Sequence, residues 1–343
     1  MESQEEKIEK FARMAVPTVV AVGLGGAGCN VITWIKDKGI TGGKLVAVNT
    51  DATHLRITKA DKRILIGEKL TRGLGSGGYP DVGEKALYES ANEVVYELSK
   101  SNIIFMVAGM GGGTGTGSIV GLADVLRKKF AGNPMAPLIC GVVTLPFEVE
   151  TARMAAAKKG LSRLKAACDT VVVIDNNRLV KVAGNLPFRE ALGVANTTVG
   201  KFVKGITETI TTASLINLDY ADLKAIMSGS GIASIGIGEG SGENRIENAV
   251  DKALNGRLLD IEDVTKAQGL LIHVSGGEDL TLGEVNRAAE IMKRSLPPKV
   301  KIIWGARVDN ELQGAVSVMA VVTGVESAFL SKNQKHIGPF KFR

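Results

Sequence analysis

The sequence predicts an α/β protein in which a Rossmann-type parallel sheet is joined by a long central helix to a smaller α/β unit. Three observations predict it. Short apolar, β-branched runs alternate with helical patterns through the first half, glycine clusters follow several of those runs, and one long helical periodicity divides the first half from the second. The chain has 343 residues, 45% of them hydrophobic and 23% charged. That is about twice a typical domain length and apolar enough for two cores.

The strand runs are VPTVVAV (16–22), KLVAVN (44–49), IIFMVA (103–108), PLICGVVT (137–144) and TVVVID (170–175). Their apolar continuity marks strands buried on both faces, the habit of parallel sheets covered by crossover helices. The charge-free stretch Ser101 to Ala123 is long enough to span a bilayer, but its glycines make it a strand and a loop. Next, Leu192, Ala195, Val199, Phe202, Val203, Ile206 and Ile210 recur at close to 3.6 residues. A helix from Arg189 to Ala213 would be about 37 Å long. Beyond it, ASIGIG, GLLIHV, KIIWGARV and AVSVMAVV read as strands, with helices near Asn244 to Leu254 and Leu282 to Leu296. The expected segments are an N-terminal extension (1–15), a first unit (16–188), the central helix (189–213), a second unit (214–326) and a tail (327–343). In the extension, Ile8, Phe11 and Ala15 fall on one helical face.

Forty-two basic and 36 acidic side chains give a net charge of +6. The charges are evenly mixed and only four Tyr and two Trp are present, so the basic balance reads as solvated faces and no nucleic-acid partner is expected. Cys29, Cys140 and Cys168 are odd in number and far apart, which suits a reducing cytoplasm and excludes a disulfide scaffold. The first residues carry no apolar core of a signal peptide, and neither export nor membrane insertion is expected. His54, His273 and His336 are too scattered for a metal site or triad, and the cysteines have no zinc spacing. The glycines of GSGIASIGIGEGSG (229–242) read as strand and loop geometry.

Forty-two glycines are roughly 18 more than the ~24 expected at a ~7% average. Three clusters hold much of the excess. GLGGAGCN (23–30) follows the first strand and opens a helix, where bare amides and the helix dipole favour an anion. AGMGGGTGTGS (108–118) interleaves glycines with Thr114, Thr116 and Ser118, suited to wrapping a di- or triphosphate. No lysine follows its last glycine, so it is not a Walker A loop. RGLGSGGYPDVG (72–83) precedes a proline-initiated helix. Gly23, Gly25 and Gly28 also fit a dinucleotide-binding fingerprint, with Asp51 as its acid, so a Rossmann oxidoreductase stays open on these residues.

GGGTGTG is the signature of tubulin and of FtsZ, the tubulin-like division GTPase, and the sequence resembles FtsZ from Ala15 to about Val325. The blocks GLGGAGCN, AVNTD, GLGSGGYPDVG, AGMGGGTGTGS, VVTLPF and NLDYADLKAIM stand in family order. DNNRL, ETITTASLINLDYAD and IIWGAR resemble the archaeal branch, particularly its second FtsZ type. The resemblance implies a tubulin/FtsZ-like fold and GTP as ligand and substrate. It places Gly25, Gly26 and Asn30 along the phosphates, and Gly109, Gly111, Gly112, Gly113, Thr114, Gly115, Thr116 and Gly117 in the main cradle. Gly75, Gly77 and Gly78 would sense the γ-phosphate, and Asn49 and Asp51 form the second nucleotide loop. Glu150 and Arg153 would lie at the ribose, Asn176 and Asn196 at guanine, with Leu192 where the family often stacks phenylalanine.

Asn217, Asp219 and Asp222 in NLDYADL would be the catalytic set. Taken alone, Asp219 and Asp222 read as helix-capping acids. At the far end of a long helix they cannot reach their own chain's phosphates, but they can reach those of a copy stacked head to tail. The resemblance implies that hydrolysis occurs at that junction, with Mg²⁺ held mostly by water and nucleotide, in a filament serving division at mid-cell. It also implies adaptor proteins that dock on the tail, here IGPFKFR. A non-hydrolysing GTP-binding relative is the remaining alternative.

Overall fold

A computed structural model describes residues 4–7, 16–178, 187–212, 215–216, 218–256, 261–263 and 265–331. Asn217, Ile8, Phe11, Ala15, the segment IGPFKFR and the side chain of Leu192 lie outside the described residues.

The first half runs β1 (Val19–Leu24), α1 (Gly25–Lys38), β2 (Gly43–Asn49), α2 (Ala52–Ile57), β3 (Lys62–Leu65), α3 (Glu68–Thr71), α4 (Pro80–Glu89), α5 (Ala91–Leu98), β4 (Ile103–Gly109), α6 (Gly113–Lys129), β5 (Leu138–Leu145), α7 (Thr151–Ala167) and β6 (Thr170–Asp175). Each of the five strand runs read from sequence is a strand, and β3, only four residues long, is the one that the apolar-run criterion passes over. The order β3-β2-β1-β4-β5-β6 is parallel throughout. It is the doubly wound arrangement, whose ligand crevice lies at the carboxyl ends of the strands. Alternate residues feed two cores: Val20, Val22 and Leu24 pack on one face, Val19 and Ala21 on the other.

The central helix α8 (Phe188–Thr211) agrees with the periodicity to within two residues at each end. Ala195, Val199, Phe202, Val203, Ile206 and Ile210 are buried along one stripe. Phe202 meets Phe105 edge to face with ring centroids 5.6 Å apart. The second half runs α9 (Tyr220–Met227), β7 (Gly231–Ser241), α10 (Arg245–Asn255), β8 (Ile261–Asp263), β9 (Gly269–Gly276), α11 (Leu282–Arg294), β10 (Lys301–Val308), β11 (Ala315–Thr323), β12 (Glu326–Ser327) and α12 (Ala328–Ser331). Its main strands do not make a separate sheet. β7 pairs in parallel with the free edge of β6 over Thr170 to Val172, so the described residues hold one ten-stranded sheet, with β8 and β12 paired apart.

Much of the glycine excess allows backbone to meet backbone. A Cβ on Gly28 would stand 2.3 Å from the Val107 carbonyl oxygen, so α1 lies directly on β4. One on Gly117 would stand 1.9 Å from the Pro80 carbonyl oxygen, which brings α4 against α6.

Candidate functional site

The carboxyl ends of β1, β2, β4, β5 and β6 open into one cavity of about 570 Å³. α1 and α6 both begin at its wall, and neither has a side-chain cap on its first turn. Their leading N–H groups are therefore available to an anion, reinforced by the helix dipoles. The helices start inside the glycine clusters: α1 begins at Gly25 and α6 at Gly113, so half of each motif is helix rather than loop.

Gly26, Asn49, Asp51, Gly75, Gly77, Gly78, Gly109, Gly112, Gly113, Thr114, Gly115, Glu150, Arg153 and Asn176 all line this cavity. Gly75, Gly77 and Gly78 take positive φ, which lets the loop before α4 fold over the opening. Three hydroxyls tie the loops together: Thr114 Oγ1 is 2.7 Å from Thr50 Oγ1 and 2.9 Å from Ser76 Oγ. Glu150 accepts from the Phe147 N–H at 3.1 Å and pairs with Arg153. Asp51 caps α2 by accepting from the His54 N–H at 3.0 Å. The Asn176 amide oxygen is buried without a partner, an acceptor that a bound donor would satisfy.

Six sequence-predicted residues stand outside the lining: Gly25, Asn30, Gly111, Thr116, Gly117 and Asn196. Gly25 packs on the backbone of Gly115, and Gly111 on Arg153. Thr116 is buried and accepts from the Gly111 N–H at 2.8 Å. Their share in the motif is to shape the cradle. Ser76 and His54 also line the cavity. Ser76 sits inside the third glycine cluster, a usable signal; a lone histidine gives none.

Asp219 and Asp222 lie at the opposite end of the sheet. Asp219 caps α9 by accepting from the Ala221 N–H at 3.0 Å, and the exposed Asp222 is 3.4 Å from Lys301 Nζ. In the same helix, the Tyr220 hydroxyl donates to the carbonyl of Asn102, at the start of β4, whereas the cavity lies beyond the end of β4. Seven residues at ~3.3 Å separate the two ends by about 23 Å.

Residues 18–184 match the model of the tubulin/FtsZ family GTPase domain, and residues 231–326 that of the FtsZ family C-terminal domain. The chain is 47% identical over 312 residues to cell division protein FtsZ 2 of Methanocaldococcus jannaschii, covering 90% of this chain and 80% of that protein. The chain belongs to the tubulin/FtsZ family. Cell division protein FtsZ 1 of the same organism is 46% identical over 94% of this chain and 87% of its own length. The solved empty FtsZ dimer of M. jannaschii superposes with a TM-score of 0.86 at 46% identity, over 94% of this chain and 93% of that one. CetZ2 of Haloferax volcanii, solved as a protofilament bound to GTPγS, shares the fold at 21% identity, with a TM-score of 0.74 over 91% of this chain and 95% of its own. Membership in this GTPase family implies binding of GTP and GDP and sets aside the oxidoreductase reading, which strand order alone left open. Among the described residues no helix is long and apolar enough to cross a membrane.

Proposed function

We propose that this protein is a cell-division GTPase that assembles head to tail into protofilaments and hydrolyses GTP only where two copies meet. One observation carries the reading: the nucleotide cavity and the acids Asp219 and Asp222 occupy opposite ends of one rigid sheet. A chain whose acids and cavity lie at the two ends of a strand about 23 Å long completes its site only by stacking. Both ends also present apolar side chains to solvent. Leu74, Tyr79 and Val149 are exposed beside the cavity, and Met135 and Leu215 near α9. A heterologous contact of this kind, when its rotation does not close a ring, repeats into a filament.

Within one copy, the amides of α6 and the glycine loops hold the phosphates, Glu150 and Arg153 the ribose, and Asn176 the base. The orphaned Asn176 oxygen suits the N–H edge of guanine. The loop Gly75–Gly78 touches only the far end of the triphosphate, so it would order differently with GTP and GDP. Asp219, Asp222 and Asn217 of the neighbouring copy position the attacking water, which is what phosphoryl transfer chiefly requires. Mg²⁺ would supply charge neutralisation at the phosphates, held mainly by water and nucleotide. Residues 16–188 form the GTP-binding unit, 189–213 the connecting helix and 214–326 the unit that activates the next copy. The filament acts in the cytoplasm at the division site, and the tail segment IGPFKFR engages anchoring adaptors.

The test is turnover per molecule against protein concentration, with sedimentation in GTP. Specific activity rises sharply above a critical concentration where pellets appear. Constant specific activity down to high dilution overturns hydrolysis between copies.

A further inference from the structure

We propose that His54 is a positioning residue of the nucleotide cavity, fixing two asparagine amides and thereby setting affinity for the guanine nucleotide. This rests on the reading of the cavity above and adds a residue to it. His54 projects from α2 into the cavity lining. Its Nε2 is 3.1 Å from Asn30 Oδ1, and its Nδ1 is 3.5 Å from Asn49 Nδ2, at the outer limit of a hydrogen bond. Because an amide oxygen can only accept, Nε2 carries the proton; Nδ1 is then the acceptor facing an amide N–H.

The arrangement leaves no slack. The Asn49 oxygen already accepts from the Thr50 N–H at 2.9 Å, so turning that amide over would set two donors against each other. The Asn30 oxygen is occupied by the imidazole, which leaves its NH₂ group as the side chain's free donor. Asn30 is not part of the cavity wall, and His54 is its bridge to it. From Asn49 the chain continues through Thr50, whose hydroxyl meets Thr114 in the main cradle, and Thr114 meets Ser76 in the loop that folds over the opening. One imidazole thus joins the first turns of α1 to the second nucleotide loop, and through that loop to the remaining two. The acids that act on the phosphate belong to another copy, so this network governs how tightly nucleotide is held, with no direct effect on the chemical step.

The experiment measures GDP binding to the full chain by calorimetry and steady-state GTP turnover for the parent, His54→Ala and His54→Gln. Glutamine offers one donor and one acceptor on a side chain of similar reach. His54→Ala should weaken GDP about tenfold and raise KM in parallel, with kcat at saturating GTP within about twofold. His54→Gln should recover affinity to within about threefold of the parent. Alanine binding as tightly as the parent, or glutamine failing as badly as alanine in a folded chain, overturns the inference. Should the alanine chain not fold, His54→Asn, which is too short to reach both amides, takes its place. A parent chain that binds no guanine nucleotide overturns the cavity reading itself, which separates the two failures.

Discussion

The two ends of the sheet are built by different rules. At the carboxyl end, six segments converge, hydroxyls and amides are bonded to one another, and glycines let α1 and α6 sit directly on their neighbours. At the opposite end, Asp219 and Asp222 are exposed, held by one helix cap and one long, solvated ion pair. A binding surface that meets its ligand within one chain can be completed by folding. On the proposed reading the acids meet their substrate on another chain, so their end stays unfinished until assembly.

The sharpest way to break this comparison is Asp222→Ala. We expect hydrolysis to fall by about two to three orders of magnitude with GTP affinity within about twofold of the parent. Filaments should still form and fail to turn over. Lost nucleotide binding in a calorimetric titration would place the acid in its own cavity and erase the distinction between the ends.

Gly117→Ala attacks the other end. Its methyl would stand 1.9 Å from the Pro80 carbonyl oxygen, so α4 must move away from α6. Overpacking of this kind costs about 1–3 kcal/mol, read as a lower urea midpoint, and GTP affinity should fall because the loop before α4 moves as well. Unchanged affinity in a folded variant would show that the packing of α4 and the loop over the cavity are independent.

Stability against pH probes the joint between the halves. His273 in β9 is buried, and burial, followed by the nearby Arg307, pushes its pKa down to about 4, while Glu208 opposes the shift. The unfolded chain takes up a proton below about 6.5 and the folded chain does not, so the neutral histidine's contribution is complete above pH 6.5 and is lost as pH falls toward 4. The full shift corresponds to about 3 kcal/mol. A His273→Gln chain should lose this slope between pH 6.5 and 4.5 in urea titrations, and an unchanged slope would locate the proton uptake elsewhere.

The smallest effect is expected from Lys301→Ala. Lys301 and Asp222 are each about half exposed, and exposed pairs contribute about 0–1 kcal/mol. Turnover should stay within about twofold at saturating GTP, whereas a tenfold loss would make Lys301 part of the unfinished site.

Much of the molecule was legible in the residues. Apolar continuity located β1, β2, β4, β5 and β6, and the 3.6-residue stripe from Ala195 to Ile210 located α8, because burial on two faces or on one stripe writes a period into the sequence. β3 is too short and too polar to write one. The three glycine clusters identified the cavity, yet they looked alike whether a glycine faces the cavity, as Gly112 does, or a neighbouring backbone, as Gly117 does. The sequence carries no signal of His54's place because a single imidazole has no period and its partners Asn30 and Asn49 are brought to it from separate elements.

By itself the sequence determined the order of the main elements, the family and the place of the glycine loops that line the cavity, since each rests on local patterns that survive in one dimension. Only the tertiary structure decided that both halves share one sheet through β6 and β7, which glycines pack and which line the cavity, and that the acids lie at the far end from it. Those facts depend on distances between residues far apart in the chain, and a linear pattern carries no such distances.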